Sequence, residues 1–302
     1  MQYASLPGMR VSRICLGTMT FGNPVLEKDA IRLVRYALDE HGVNFVDTAN
    51  MYEGYNRVAG SAGGVAEEIV GKAVAGRRAD YIIATKLGMK VGADPVDELT
   101  SPEAIRVQLR RSLKRLCTDY VDVYYLHRFD PHTPPEAIAR AMGQELKAGT
   151  IRAWAVSNYT AEQLSALLLA AKAEGVPAPA LCQPALSLLS TAALADLLPL
   201  CEKEGVGVVP YQVLQGGALT GKYRRGEAAP ENSRMSEKPD WLKPLTNEAF
   251  DVIEACERAA HQEGLTMTQY AIRWALHQPG AVSALVGVKR ENQIAEAAGA
   301  LR

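Results

Sequence analysis

A short apolar run rich in β-branched and aromatic residues, then a stretch with apolar residues at helical spacing, recurs eight times along this chain. That alternation leaves few architectures open. Arg13 to Gly17 leads into Lys28 to Glu40, and Val43 to Asp47 into Gly64 to Ala75, with Glu67 and Glu68 near the positive amino end of that helix. Tyr81 to Thr85 leads into Pro102 to Leu116, where Ser101 suits the N-cap and Pro102 the first helical position. Tyr120 to Leu126 precedes Pro135 to Ala148, Ile151 to Val156 precedes a helix capped by Thr160 and running through Ala173, and Ala180 to Gln183 precedes Ala192 to Glu204. Val206 to Pro210 makes a seventh strand, with a helix at Asn247 to Glu263 beyond it. Ala284 to Val286 makes the eighth, followed by a helix from Glu291 to Ala300. The pattern predicts an α/β fold, a (β/α)8 TIM barrel forming a single domain over 1–302. A doubly wound sheet would require a GxGxxG turn directly after an early strand. Gly60, Gly63 and Gly64 lie on a long loop instead.

Composition closes off other classes. Lys and Arg number 33 against 34 Asp and Glu, and no basic run is present, so nucleic acid is not expected as a partner. No apolar stretch approaches a membrane span, and the amino terminus lacks the layout of a secretion signal, so a soluble cytoplasmic protein is expected. Cys15, Cys117, Cys182, Cys201 and Cys256 are odd in number, scattered and without a CxxC pair. Reduced, mostly buried thiols are expected, with no disulfide framework and no metal site. Oligomeric state has no signature in the sequence.

In a barrel of this kind the carboxyl ends of all the strands gather at one face. Asp47 ends the second strand, Lys86 closes the third, His127 follows the fourth, and Tyr52 lies on the loop after the second. Alone, each has a plain structural reading: a turn residue, a solvated charge, a core hydrogen bond or a packing aromatic. Together they are chemically complementary. A nearby ammonium lowers a phenol's pKa, and Lys86 suits that part; a carboxylate beside a buried ammonium keeps it charged, and Asp47 suits that one. His127 would donate to a carbonyl oxygen while Tyr52 delivers a proton. No side chain supplies a hydride, so a cofactor must.

From LGTMTFG at Leu16 to Gly22 through DTANMY, ATK and YYLHRFD to the last helix, the sequence resembles the aldo-keto reductase family over essentially its whole length. The resemblance implies a (β/α)8 barrel that binds NADPH/NADP+ and reduces carbonyl compounds to alcohols. Its catalytic tetrad would be Asp47, Tyr52, Lys86 and His127. VSN and CQPALS imply that Ser157, Asn158 and Gln183 hold the nicotinamide amide, and Tyr211 would stack on the ring. Gly17, Thr18 and Met19 belong to the first strand end of the same site. VLQGGALTGKY implies a pyrophosphate loop with Leu214, Gly217, Leu219 and Lys222. LVGVKRENQIAEA implies an adenosine 2′-phosphate site with Gly287, Lys289, Arg290, Gln293 and Glu296, Arg290 favouring NADPH over NADH. Gln212 and Val213 depart from the family's usual Ser-Pro, Ala297 from an asparagine and Ala66 from a serine.

Substrate selectivity in this fold lies in the loops. The loop from Glu53 to Gly63 is longer than the family norm, and the segment Tyr211 to Leu245 is long and irregular. The short extension after the last helix implies no long tail lining the pocket. Met19, Phe21, Tyr55 and Phe129 are expected to wall an apolar pocket, while Trp241 is expected to be a packing residue. Two other readings use the same residues: a nucleotide-binding regulatory barrel with slow turnover, and a lyase with Lys86 as Schiff-base nucleophile. His41, His132, His261 and His277 lie away from strand ends and are expected to be structural.

Overall fold

The computed structural model describes residues 1–242 and 244–302; Lys243, within the long irregular segment, lies outside them. The expected barrel is present. A hairpin comes first, β1 (Tyr3–Leu6) paired antiparallel with β2 (Met9–Ser12). The barrel strands are β3 (Ile14–Gly17), β4 (Phe45–Asp47), β5 (Ile82–Leu87), β6 (Val121–Leu126), β7 (Ile151–Ser157), β8 (Leu181–Gln183), β9 (Gly207–Val208) and β10 (Ala284–Gly287). They form one parallel sheet in chain order, with β10 beside β3. The seam between β9 and β10 closes through Val208 N to Gly280 O at 2.8 Å, Val282 N to Val208 O at 2.9 Å and Leu285 N to Pro210 O at 3.0 Å. Among the described residues, closure leaves the eight-stranded sheet without an open edge.

Helices α1 (Glu27–His41), α2 (Val65–Val74), α3 (Pro102–Leu116), α4 (Pro135–Ala148), α5 (Ala161–Ala173) and α6 (Leu197–Glu204) return the chain between successive strands. The single turn α7 (Arg234–Glu237), then α8 (Asn247–Gln262), α9 (Met267–Leu276) and α10 (Glu291–Gly299) complete the order. The caps follow local chemistry. Ser101 Oγ accepts from Ala104 N, and Thr160 forms a reciprocal capping box with Gln163. Glu67 is more than a first-turn charge on α2: it is fully buried, accepting from Thr85 Oγ1 at 2.5 Å and from Arg115 Nε at 2.6 Å.

Several boundaries differ from the sequence reading. The run Ala192 to Glu204 is broken, a helical turn at Ala192–Leu194 preceding α6. Of Val206 to Pro210 only Gly207–Val208 is ladder-paired strand. The hairpin and α9 were not anticipated. Four-residue strands carry too short a pattern to separate from a loop, and α9 lies in one continuous apolar-rich stretch with α8.

The core has two shells. Outward-facing strand residues such as Ile83, Tyr124, Leu126, Trp154 and Val156 pack against the helices. Inward-facing residues fill the barrel: Cys15, Phe45, Ala84, Tyr125, Ala155, Leu181 and Val209 are buried, with Leu285 packed against them. Leu6, Met9 and Val11 of the hairpin join that inner cluster and plug the amino-terminal mouth. Full burial of such a side chain is worth roughly 1.5–3 kcal/mol, so the plug holds one end of the barrel shut. All five cysteines are free, and only Cys117 is exposed, as expected.

Candidate active site

Side chains alternate across a strand, so the residue two beyond an inward core residue also points inward, one layer nearer the carboxyl end. Two residues beyond Cys15, Phe45, Ala84, Tyr125, Ala155, Leu181, Val209 and Leu285 stand Gly17, Asp47, Lys86, His127, Ser157, Gln183, Tyr211 and Gly287. The ladder pairs Gly17 with Asp47 and Ser157 with Gln183 directly, and steps by two residues across β5, where Asp47 is opposite Ala84 and Lys86 opposite Tyr125. Every strand thus contributes to one open layer.

Lys86 is the hub. It is fully buried, and its ammonium donates to Asp47 Oδ1, to Thr48 O at 2.9 Å and to the Tyr52 hydroxyl at 3.2 Å. Three donors meet three acceptors. Asp47 Oδ2 accepts from Gln183 Nε2 at 3.0 Å, so both carboxylate oxygens are engaged. Tyr52 accepts from Lys86, which leaves its own proton free, and its ring meets His127 edge-on at 5.9 Å. His127 Nδ1 is buried without a partner among the described residues.

Burial works against the Lys86 ammonium, but Asp47 and Tyr52 outweigh it and hold its pKa above the usual lysine value. Burial also raises the Asp47 carboxyl, with Lys86 and Gln183 opposing. For Tyr52 the expectation of a lowered pKa is corrected. Lys86 does pull the phenol down, yet desolvation, with Asp47 adding to it, wins and leaves the pKa raised. Loss of water costs a phenolate more than one already-paired ammonium returns. Desolvation and the nearby Lys86 and Arg128 charges drive His127 well below the usual histidine value, so the ring is a neutral imidazole.

Next to this hub lies a hydrogen-bonded polar wall. Tyr211 OH donates to Asn158 Oδ1 at 2.7 Å, Asn158 Nδ2 reaches His127 O at 2.8 Å, and Ser157 Oγ donates to Gln183 O at 2.9 Å. Thr18 binds Asp47 O through both its backbone N and its hydroxyl, each at 3.0 Å. A Cβ on Gly17 would lie 2.8 Å from Leu285 Cδ2. Met19 is partly exposed at this rim.

Farther along the mouth the groups are cationic. Leu214 is half-buried and Leu219 fully buried on the turn after Tyr211, where Gly217 adopts φ 96°. A Cβ there would meet Lys222 Nζ at 2.5 Å, so glycine lets the ammonium lie over the loop backbone. Burial, then Lys289, Arg234 and Arg290, pull the Lys222 pKa below the ordinary value. Lys289 and Arg290 line a cavity of about 560 Å³ with Arg32 and Glu237. Gln293 Oε1 accepts from the backbone N of Lys289 and Arg290 and so caps α10. Glu296 accepts from Thr266 Oγ1 at 2.9 Å, which ties it to α9.

The expected apolar wall is only partly present. Phe21 is fully enclosed in the outer core shell and offers no surface to a ligand. Phe129 is 37% exposed, edge-on to Tyr159 at 5.7 Å. Tyr55 is buried against Trp241, which is itself 37% exposed. The loop after Tyr52 is pinned by Arg57, which donates to Ser61 Oγ at 2.6 Å and to Val58 O and Lys90 O, and by Glu53, which accepts from Gly63 N at 2.9 Å. It rests on Gly54, φ 61°, where a Cβ would lie 2.1 Å from Asn23 O. Gly54→Ala is expected to displace the loop and cost at least about 1–2 kcal/mol in thermal unfolding. An unchanged melting temperature would mean that the loop does not rest on Asn23.

Sequence reasoning missed Thr48 O, Arg234 and Glu237. A signal existed for the last two: in RMSEKPDW, Arg234, Lys238 and Trp241 recur at i, i+4 and i+7 beside a carboxylate.

The aldo/keto reductase family model matches residues 13–302. A probable voltage-gated potassium channel subunit beta of Arabidopsis thaliana is 35% identical, covering 98% of this chain and 90% of its own. An aldo-keto reductase of Bacillus subtilis is 32% identical over 97% of this chain and 87% of its own. Among solved structures, a glycerol dehydrogenase of Gluconobacter oxydans superposes with a TM-score of 0.82 at 31% identity, covering 99% of this chain and 90% of its own.

Proposed function

Because the chain belongs to the aldo/keto reductase family, it is an oxidoreductase, and we propose that it interconverts small carbonyl compounds and alcohols with NADP(H). The observation that carries this reading is the Lys86 ammonium, bonded at once to Asp47 and to the Tyr52 hydroxyl beneath the open end of the barrel. The residues present suit a nicotinamide dinucleotide. A polar wall of Ser157, Asn158 and Tyr211 lies at the hub, and the neighbouring cations Lys222, Lys289 and Arg290 would suit its phosphates.

When bound, the cofactor supplies the hydride that reduces the carbonyl carbon. Tyr52 gives its free proton to the carbonyl oxygen, and Lys86 stabilises the phenolate left behind. Asp47 holds Lys86 charged and oriented. Neutral His127 has one N–H to donate, which orients the same oxygen and steadies the charge growing on it. Mixing the protein with NADPH and a panel of aldehydes, ketones and, in reverse, polyols tests the proposal by the change in nicotinamide absorbance. No turnover on any of them would overturn it.

The likeness to a channel subunit favours one second reading, a nucleotide-holding barrel that turns over slowly. It predicts tight NADPH binding with a turnover far below the about 1–1000 per second typical of enzymes. A Schiff-base lyase is disfavoured, since Asp47 keeps Lys86 protonated and unreactive. Borohydride trapping with a carbonyl substrate should leave Lys86 unlabelled.

Arg290 is exposed at the cavity and is the reader of the 2′-phosphate in this proposal. Arg290→Ala is expected to weaken NADPH binding by about ten- to a hundredfold in calorimetry, with NADH little changed. Equal losses for both would remove that assignment.

A further inference from the structure

The segments after Tyr52 and after Tyr211 meet over the cationic side of the mouth, and the contact is built around Tyr55. Its ring stands edge-on to Trp241, centroids 5.6 Å apart. Arg234, Lys289 and Lys238 lie over the same ring at 5.0, 5.3 and 5.8 Å. Three cations face one phenol. Tyr55 is 8% exposed, and its enclosed hydroxyl faces the Glu237 carboxylate without a well-formed hydrogen bond among the described residues. Glu237 sits among these groups, accepting from Lys289 Nζ at 2.5 Å. Burial pushes its carboxyl up, but Lys289, Tyr55 and Arg234 together hold it below the usual value.

An enclosed hydroxyl whose one facing acceptor is already taken by Lys289 is poorly satisfied, and one carboxylate does not balance three cations. The cluster therefore has a donor and positive charge to spare for an anion with more acceptor oxygens. We infer that Tyr55 is a cofactor-binding residue: its hydroxyl donates to a phosphate oxygen of the dinucleotide once Glu237 yields Lys289 to that phosphate. The inference rests on the cofactor reading above. It moves Tyr55 from the substrate wall to the cofactor. Tyr55 also lies three residues beyond Tyr52, so the same contact steadies the loop that carries the proton donor.

Calorimetric binding of NADPH, NADH and 2′,5′-ADP to the wild type, Tyr55→Phe and Glu237→Gln tests this. Phenylalanine keeps the ring and its cations, and a melting curve checks the fold. Tyr55→Phe is expected to weaken NADPH by about tenfold, and Glu237→Gln, by removing the competing carboxylate, to tighten it by a similar factor. A parallel change for 2′,5′-ADP with NADH unchanged would identify the 2′-phosphate as the acceptor, and a parallel change for NADH the pyrophosphate. Unchanged binding in Tyr55→Phe, or weaker binding in Glu237→Gln, overturns the inference while the cofactor reading stands. A wild type that binds none of the three ligands overturns both.

Discussion

Tyr52→Phe is expected to abolish carbonyl reduction, lowering kcat by about a hundred- to ten-thousandfold, the usual contribution of a positioned proton donor. The variant loses one oxygen. Its ring keeps the edge-on contact with His127, and Lys86 keeps Asp47 and Thr48 O, so the fold and the cofactor cradle have no reason to change. NADPH binding measured by calorimetry should therefore stay within about twofold of wild type, since no phosphate or amide contact is touched. Because the resting phenol is raised by burial, the proton is held until charge develops on the substrate oxygen next to it. Retained turnover in the phenylalanine variant would sink the assignment, and lost NADPH binding would show that Tyr52 serves the cradle.

Asp47→Asn is expected to be both inactive and unstable. The asparagine keeps the shape of the carboxylate but leaves the fully buried Lys86 ammonium without its counter-ion. Breaking a buried pair by removing one partner costs about 3–5 kcal/mol. Urea unfolding should record a loss of that size, or Lys86 should shed its proton to escape it. Either way the ammonium that steadies the Tyr52 phenolate is gone, and turnover goes with it. Adding Lys86→Met to Asp47→Asn should recover part of the stability and none of the activity, because the unpaired charge is removed together with the proton-donor's partner. Additive destabilisation would mean that the pair is not coupled.

The proposed catalytic groups were legible because the fold that holds them is periodic. Asp47, Lys86 and His127 each close an apolar run, and Tyr52 follows on the next loop, so a barrel, once inferred, brings them together. Their residue types already carry the chemistry. The sign of the Tyr52 shift was not legible: it depends on how much water reaches the phenol, a quantity set by side chains brought in from elsewhere in the chain, His127 and Tyr211 among them. Phe21 was misjudged for a related reason. Nothing in the sequence around it tells that its side chain is enclosed in the outer core shell.

By itself the sequence determined the strand and helix alternation, the barrel, and the strand-end places of Asp47, Lys86 and His127. A period of two carries each of them one step beyond a core residue, and that rule needs only local geometry. Tertiary structure alone decided what those positions experience. Asp47 and Gln183 are 136 residues apart yet share a hydrogen bond, and Tyr55 and Trp241 meet although they belong to different loops. Desolvation, charge pairing and loop-on-loop contact depend on the distances between such residues in space, which no local pattern in a chain encodes.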